Sequence, residues 1–186
     1  MLALGTQAPD FSLPNVTNSQ IVSLDSSIQA RAYVVAFVCN HCPFVKLLRD
    51  HFAEFGNAAM NNGAQVFAIS SNDIDNYPDD SPEKMAIEAK EAGYRFPYLY
   101  DESQEVARAY KAACTPDFFL FASDRRLAYR GQYDDARPGN GKPVTGSDLQ
   151  AALDAVLDKQ LAPEPQTPSL GCNIKWKLGK APTYFG

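Results

Sequence analysis

Residues 33–55 read Tyr-Val-Val-Ala-Phe-Val-Cys-Asn-His-Cys-Pro-Phe-Val-Lys-Leu-Leu-Arg-Asp-His-Phe-Ala-Glu-Phe, and two periodicities meet in them. Tyr33 to Val38 is a continuous apolar run with the β-branched content of a strand buried on both faces. Val45, Leu48, Phe52 and Phe55 then recur at spacings of 3, 4 and 3, the apolar stripe of a helix. Cys39-Asn40-His41-Cys42-Pro43 lies at the junction. A cysteine there meets the unpaired N–H groups and the positive dipole end of the helix, both of which stabilise a thiolate.

The flanking chain builds an α/β unit outward from this junction. Phe11-Ser12-Leu13 and Ile21-Val22-Ser23-Leu24 alternate as half-buried strands and predict an N-terminal hairpin. Asn61-Asn62-Gly63 ends the first long helix, and Val66-Phe67-Ala68-Ile69-Ser70 follows as a second buried strand, completing a parallel βαβ pair. Asn72 to Asp80 is a polar loop, and Ser81-Pro82 opens a helix with the apolar residues Met85, Ala89 and Ala92. A short strand at 96–100, a helix through Tyr110 and a hairpin of 118–121 with 127–130 come next. Ser147-Asp148-Leu149-Gln150 has the form of a capping box ahead of a helix bearing Leu149, Leu153 and Val156. Pro163, Pro165 and Pro168 then mark a change of composition. The expected organisation is one domain over 1–161 and an extension over 162–186, too short to fold alone and draped on the domain with Trp176 as apolar anchor.

The chain has 186 residues and a formal net charge of −5, with 45% hydrophobic and 21% charged residues. Without a long basic run, neither nucleic acid nor an anionic membrane is an expected partner. No apolar stretch approaches the roughly 20 residues of a membrane-spanning helix. The first residues carry no charged leader and no long apolar segment, so a cytoplasmic protein is expected. In a reducing compartment, four cysteines with a close pair point to redox chemistry or metal binding rather than a disulfide framework. Cys39, His41 and Cys42 lack a ligand-spaced second half, so no metal and no cofactor is expected.

The order of elements resembles the thioredoxin fold in its peroxiredoxin-like form. Gly5-Thr6-Gln7-Ala8-Pro9-Asp10-Phe11-Ser12-Leu13 is similar to the start of alkyl hydroperoxide reductase/thiol-specific antioxidant domains. Thr115-Pro116, ahead of Phe118-Phe119-Leu120-Phe121, resembles the cis-proline loop that faces the active cysteine in thioredoxin-like proteins. The Asn40-His41-Cys42-Pro43 core, Arg130 to Asp135, Arg137-Pro138-Gly139-Asn140 and Gly171 to Lys177 resemble an uncharacterised thioredoxin-family, redoxin-domain subgroup. The resemblance implies a thioredoxin-like α/β fold with an N-terminal β-hairpin and a C-terminal extension.

It also sets a register. In thioredoxin-like proteins the first active cysteine lies five residues past the last aromatic of the central strand, and counting from Phe37 reaches Cys42, with Val45 where the second cysteine would stand. Cys42 is therefore the expected nucleophile, capping a helix whose first residue is Pro43, with His41 and Lys46 adding positive charge nearby. Cys39 and Cys172 are alternative partners for it, the first close in sequence and the second in a glycine-flanked tail. Thr115, Pro116 and Arg130 are the expected substrate-binding residues, and Arg137 is a further arginine able to hold oxygens in a planar fork. Cys114 is expected to pack, His41 to face solvent from a loop, and His51 to take no chemical part. Peroxiredoxins place a hydroxyl residue three positions before the cysteine and a proline four earlier still; here those positions are Cys39 and Val35.

Three functions follow. The first is a thiol-dependent oxidoreductase in which Cys42 exchanges with a protein or small-molecule disulfide and an external dithiol restores it. The second is a peroxidase that passes through a Cys42 sulfenic acid. The third is a thioredoxin-fold binding protein without catalysis.

Overall fold

The computed structural model describes residues 2–25 and 29–184; Met1 and Phe185–Gly186, at the ends of the two expected units, lie outside the described residues. The central strand is β3 (Ala32–Phe37), buried at all six positions, with β1 (Ser12–Pro14) and β2 (Ile21–Ser23) forming the hairpin before it. After α1 (Pro43–Asn61) come β4 (Ala64–Ser70), a 3-10 turn (Pro78–Asp80), α2 (Pro82–Ala92), β5 (Tyr98–Tyr100) and α3 (Glu105–Ala109). The remainder is β6 (Cys114–Thr115), β7 (Asp117–Ala122), β8 (Leu127–Gly131), α4 (Ser147–Leu157) and β9 (Cys172–Asn173). The main sheet runs β5-β4-β3-β7-β8; β3, β4 and β5 are parallel, while β7 and β8 are antiparallel to their neighbours.

Alternation along β3 divides the core into two layers. Ala32, Val34 and Ala36 face Val45, Leu48, Phe52 and Phe55 of α1, with Met85 of α2 and Leu149 and Leu153 of α4 in the same layer. Tyr33, Val35 and Phe37 face the other way, toward Phe11 and Leu13 of the N-terminal segment, Val106 and Tyr110. The strand readings thus hold, and the α1 stripe is buried at each of its four anticipated positions.

Helix ends show where tertiary partners override local signals. Ser81 caps α2 as anticipated, its hydroxyl accepting from Lys84 N–H, with Pro82 at the first helical position. The capping box at Ser147 does not form: Gly146, at φ 61°, is the N-cap of α4. Asp134 Oδ2 instead accepts the Thr145 and Gly146 N–H groups at 2.7 Å each, and the Tyr133 carbonyl accepts those of Asp148 and Leu149. The tail crosses the second layer, where Ile174 is buried and Trp176 packs alongside it, with the Arg108 guanidinium over the indole ring.

Gly56 of α1 faces the aromatic group of Phe52, Phe96 and Tyr133, and a Cβ on it would stand 2.3 Å from Phe96 Cε1. Replacing a mid-helix glycine by alanine ordinarily gains about 1 kcal/mol. Here overpacking, at about 1–3 kcal/mol, outweighs that gain. Gly56→Ala is therefore expected to lower the urea-unfolding midpoint.

Candidate active site

Cys42 is the N-cap of α1, with φ −67° and ψ 125°, and Pro43 opens the helix. Strand β3 ends at Phe37, so Cys39 belongs to the turn that follows it rather than to the helix. Both side chains are buried, Cys42 at 0% exposure and Cys39 at 1%. Opposite them stands the loop of the cis Thr115–Pro116 peptide. Thr115 touches both sulfurs: its Oγ1 lies 3.3 Å from Cys39 Sγ, and its carbonyl oxygen 3.1 Å from Cys42 Sγ.

The third thiol arrives from the tail. β9 pairs antiparallel with β6, placing Cys172 opposite Thr115 and Asn173 opposite Cys114. The approach is close: a Cβ on Gly171 would stand 2.1 Å from the Thr115 carbonyl oxygen, so only glycine fits there. Beyond Cys172, Ile174 N–H donates to the Ala113 carbonyl and Lys175 N–H to Asn72 Oδ1. The Lys175 carbonyl accepts from Asp73 N–H and Gln104 Nε2. The structure thus brings Cys39, Cys42, Cys172, Thr115 and Pro116 together, although 130 residues of sequence separate Cys42 from Cys172.

The environment lowers the Cys42 pKa below the ordinary 9.0, first through hydrogen bonding from the Cys39 thiol and then, against the cost of burial, from the Cys172 thiol and the Val45 and Cys172 N–H groups. The Val45 N–H contributes without being seated as a full capping bond. The Thr115 carbonyl acts the other way, since it accepts the Cys42 proton whenever the sulfur is a thiol. Cys39 is held well above the ordinary thiol range by donating to Cys42, by burial and by the Asp80 charge. Cys172 is raised to about 11, chiefly by burial, with Lys175 opposing the rise. Cys114 is buried, its thiol donating to the Pro116 carbonyl at 3.6 Å, and burial raises its pKa.

A residue that the sequence reading passed over holds the loop in place. Asp80, fully buried, accepts Asn40 N–H at 2.8 Å and His41 N–H at 3.2 Å on Oδ1. On Oδ2 it accepts His41 Nδ1 at 2.5 Å and Asn72 Nδ2 at 2.8 Å. His41 is therefore tethered, contrary to the expected solvent-facing loop residue: a carboxylate only accepts, so Nδ1 carries the proton, and the ring stacks on Tyr77. Cys39, His41 and Asp80 offer ligand atoms within 4.8 Å of one another. Those atoms read as an anchor, because four N–H groups already occupy the Asp80 oxygens and a closed zinc site needs a fourth ligand. Nothing local marks Asp80, which lies about 40 residues from the loop it holds and follows a run of loop-forming residues.

The arginines and the second histidine are placed elsewhere. Arg130 pairs with Phe119 across β7 and β8, on the layer opposite Cys42, and alternation along β8 turns it away from the three clustered thiols. The Arg137 guanidinium is engaged by the Asp134 and Ala136 carbonyls at 2.7 Å and by Gln132 Oε1. Lys46 is exposed on α1. His51 Nδ1 lies 2.7 Å from the Tyr133 hydroxyl, beneath α1.

A family model described as the AhpC/TSA family matches residues 4–130, and the chain belongs to that family. The crystal structure of an uncharacterized conserved protein from Geobacillus kaustophilus is 53% identical, covering 95% of this chain and 94% of that one at a TM-score of 0.92. A hypothetical protein from Sinorhizobium meliloti 1021 is 51% identical over 96% and 97% of the two chains, with a TM-score of 0.94. A thiol:disulfide interchange protein of the thioredoxin family from Chlorobium tepidum shares the fold, at 18% identity, 84% and 99% coverage and a TM-score of 0.64. No curated protein matches the chain. The fold is therefore thioredoxin-like, and among the described residues no helix is long and apolar enough to cross a membrane.

The electrostatics predict how Cys42 and Cys172 separate with pH. A lowered pKa keeps Cys42 a thiolate as pH falls through 9.0, and its alkylation is lost only when pH passes below the lowered value. Cys172, raised to about 11, loses reactivity already on descending through that value. Iodoacetamide labelling from pH 5 to 10, read by peptide mass spectrometry, checks the order: Cys42 is expected to label throughout and Cys172 increasingly toward the upper end. Gly171→Val is expected to unseat β9 from β6 and expose Cys172 to maleimide several-fold faster in the native protein.

Proposed function

We propose that the protein is a thiol-disulfide oxidoreductase in which Cys42 is the nucleophile and Cys172 the thiol that resolves it. The observation that carries this reading is the seating of Cys42 at the N-terminus of α1 with the Cys172 strand docked beside it through β6. The Cys42 thiolate attacks one sulfur of a disulfide, forming a mixed disulfide and expelling the other half as a thiolate. Cys172, half-buried, then gives up its proton and attacks the Cys42 sulfur. The bound half leaves as a thiolate, and a Cys42–Cys172 disulfide remains. Two electrons have passed to the substrate, and an external dithiol returns them. Membership of the AhpC/TSA family supports redox chemistry of this general kind.

A peroxidase reading is favoured by one specific feature, the complete burial of Cys42, which suits a reagent as small as a hydroperoxide. There the thiolate takes the terminal peroxide oxygen, an alcohol or water leaves after protonation, and the sulfenic acid condenses with Cys172 with loss of water. Against it, the position three residues before Cys42 holds a thiol rather than the hydroxyl of peroxiredoxins.

Exposure of the reduced protein to glutathione disulfide or to hydrogen peroxide, in separate arms, distinguishes the two. Thiol-disulfide exchange is expected to give a Cys42–glutathione adduct that converts to a Cys42–Cys172 bridge, while Cys42→Ser gives neither. A bridge formed only with peroxide moves the assignment to the peroxidase. If Cys42 alkylates no faster than free cysteine and forms no adduct in either arm, both readings fall.

A further inference from the structure

We propose that the groove beside the cis Thr115–Pro116 loop takes a disulfide that carries a carboxylate, and that Arg137 is the residue that selects it. This rests on the oxidoreductase reading above and names the substrate class of that same site. The groove is lined by Phe44 and Leu48 of α1, Pro116, Ser169, Leu170 and Arg137. It adjoins the nucleophile twice over. Phe44 stands two residues beyond Cys42, and Pro116 follows Thr115, whose carbonyl oxygen lies 3.1 Å from the Cys42 sulfur. Apolar side chains with a few placed polar groups are the usual make-up of a small-molecule site.

Arg137 is half-buried and held in place by neutral oxygens. Its Nη1 donates to the Asp134 and Ala136 carbonyls at 2.7 Å each, and its Nη2 to Gln132 Oε1. The Gln132 amide is itself oriented, because its Nε2 donates to the Asp148 carboxylate at 2.8 Å. These bonds use at most three of the five N–H donors of the guanidinium. They fix its position without neutralising it, and among the described residues no carboxylate forms an ion pair with it. The nearby acids are engaged elsewhere. Asp134, which also lines the groove, accepts the Ala136, Thr145 and Gly146 N–H groups. Asp135 is exposed and bonded to Lys142, which holds its carboxyl below the ordinary range more strongly than Arg137 does.

A fixed, uncompensated guanidinium with donors to spare is a ready partner for a carboxylate. The other cations near the site are placed differently: Lys46 is exposed on α1, and Lys175 belongs to the tail and lies over the Tyr77 ring. With the tail docked the groove holds about 10 Å³, little more than one water. A substrate therefore enters it as Ser169 and Leu170 move aside, the same tail movement that uncovers Cys42. Arg137 lies outside that tail and stays in place to receive the carboxylate. The exchange itself is as described above, with Cys42 bonding to one substrate sulfur and the other half leaving as a thiolate.

The test measures single-turnover rates of the reduced protein with glutathione disulfide, which bears carboxylates, and with neutral 2-hydroxyethyl disulfide. Both reactions are acid-quenched and read by peptide mass spectrometry at Cys42. In Arg137→Gln the ratio of the glutathione rate to the hydroxyethyl rate is expected to fall about tenfold, as for the loss of one charge-assisted hydrogen bond. In the wild type, S-methylglutathione, which has the carboxylates and no exchangeable sulfur, is expected to slow the hydroxyethyl reaction, and its diethyl ester is not. A ratio that stays within about twofold in Arg137→Gln, whether both rates hold or fall together, overturns the proposal. So does equal inhibition, or none, by S-methylglutathione and its ester. The inhibition arm needs no variant and decides the matter if Arg137→Gln fails to fold. Reaction of the wild type with neither disulfide would sink the oxidoreductase reading, and the proposal with it.

Discussion

The carboxylate of Asp80 is the constraint on which the site depends. A buried carboxylate is tolerated when its lone pairs are met by donors, and four N–H groups meet these. Two are the backbone amides of Asn40 and His41, so the turn between β3 and α1 is pinned from below at the two residues separating its cysteines. A third comes from Asn72, whose amide oxygen in turn accepts the Lys175 N–H. One side chain therefore ties the Cys39–Cys42 turn to the start of α2, and through Asn72 to the tail that carries Cys172. Replacing any one of these donors would leave a charge in the interior with an unmet acceptor, so the arrangement holds as a unit.

The chemistry of Cys42 is then a balance among named groups. Burial alone would raise its pKa and make it inert. The donors around it reverse that tendency, and they are four groups from three segments: the Cys39 thiol of the turn, the Val45 N–H of the first helical turn, and the Cys172 thiol and N–H of β9. The Thr115 carbonyl is the counterweight, a ready acceptor for the proton when the thiolate is neutralised. Thr115 occupies a special place in this balance, since its hydroxyl faces one sulfur, its carbonyl the other, and its backbone pairs with the strand that delivers the third.

What the sequence made readable was what depends on short-range pattern. The apolar run of β3, the stripe of α1 and Pro43 after Cys42 are local signals, and each places an element or a cap without reference to the rest of the chain. The arrival of Cys172 beside Cys42 was one of two open alternatives, because its docking depends on Gly171 fitting against Thr115, a contact between segments 56 residues apart. Asp80 and Asn72 were unreadable for the same reason: a polar residue in a loop looks alike whether it faces water or a buried amide. The capping box at Ser147 misled because Asp134 supplies the cap from a distance. Arg130 was read from its motif alone, without the strand parity that sends it to the layer opposite Cys42.

Burial of the nucleophile finally orders the proposed steps. Cys42 has no exposed surface, so any disulfide that reaches it must displace one of the walls around it. The α1 wall is fixed by Val45, Leu48 and Phe52 in the core, and the turn is fixed by Asp80. The tail is held at this point by a two-residue strand, a few hydrogen bonds and the buried Ile174, and it is the wall with the fewest core contacts. On the proposed chemistry it is the wall that opens. Moving it withdraws Cys172 together with two of the groups that stabilise the Cys42 thiolate, while Cys39 and the Val45 N–H stay behind. On the proposed chemistry, the open site therefore still holds an activated nucleophile but lacks its resolving thiol. Closure returns that thiol only after the mixed disulfide has formed, so the opening that admits a substrate also postpones the step that releases it.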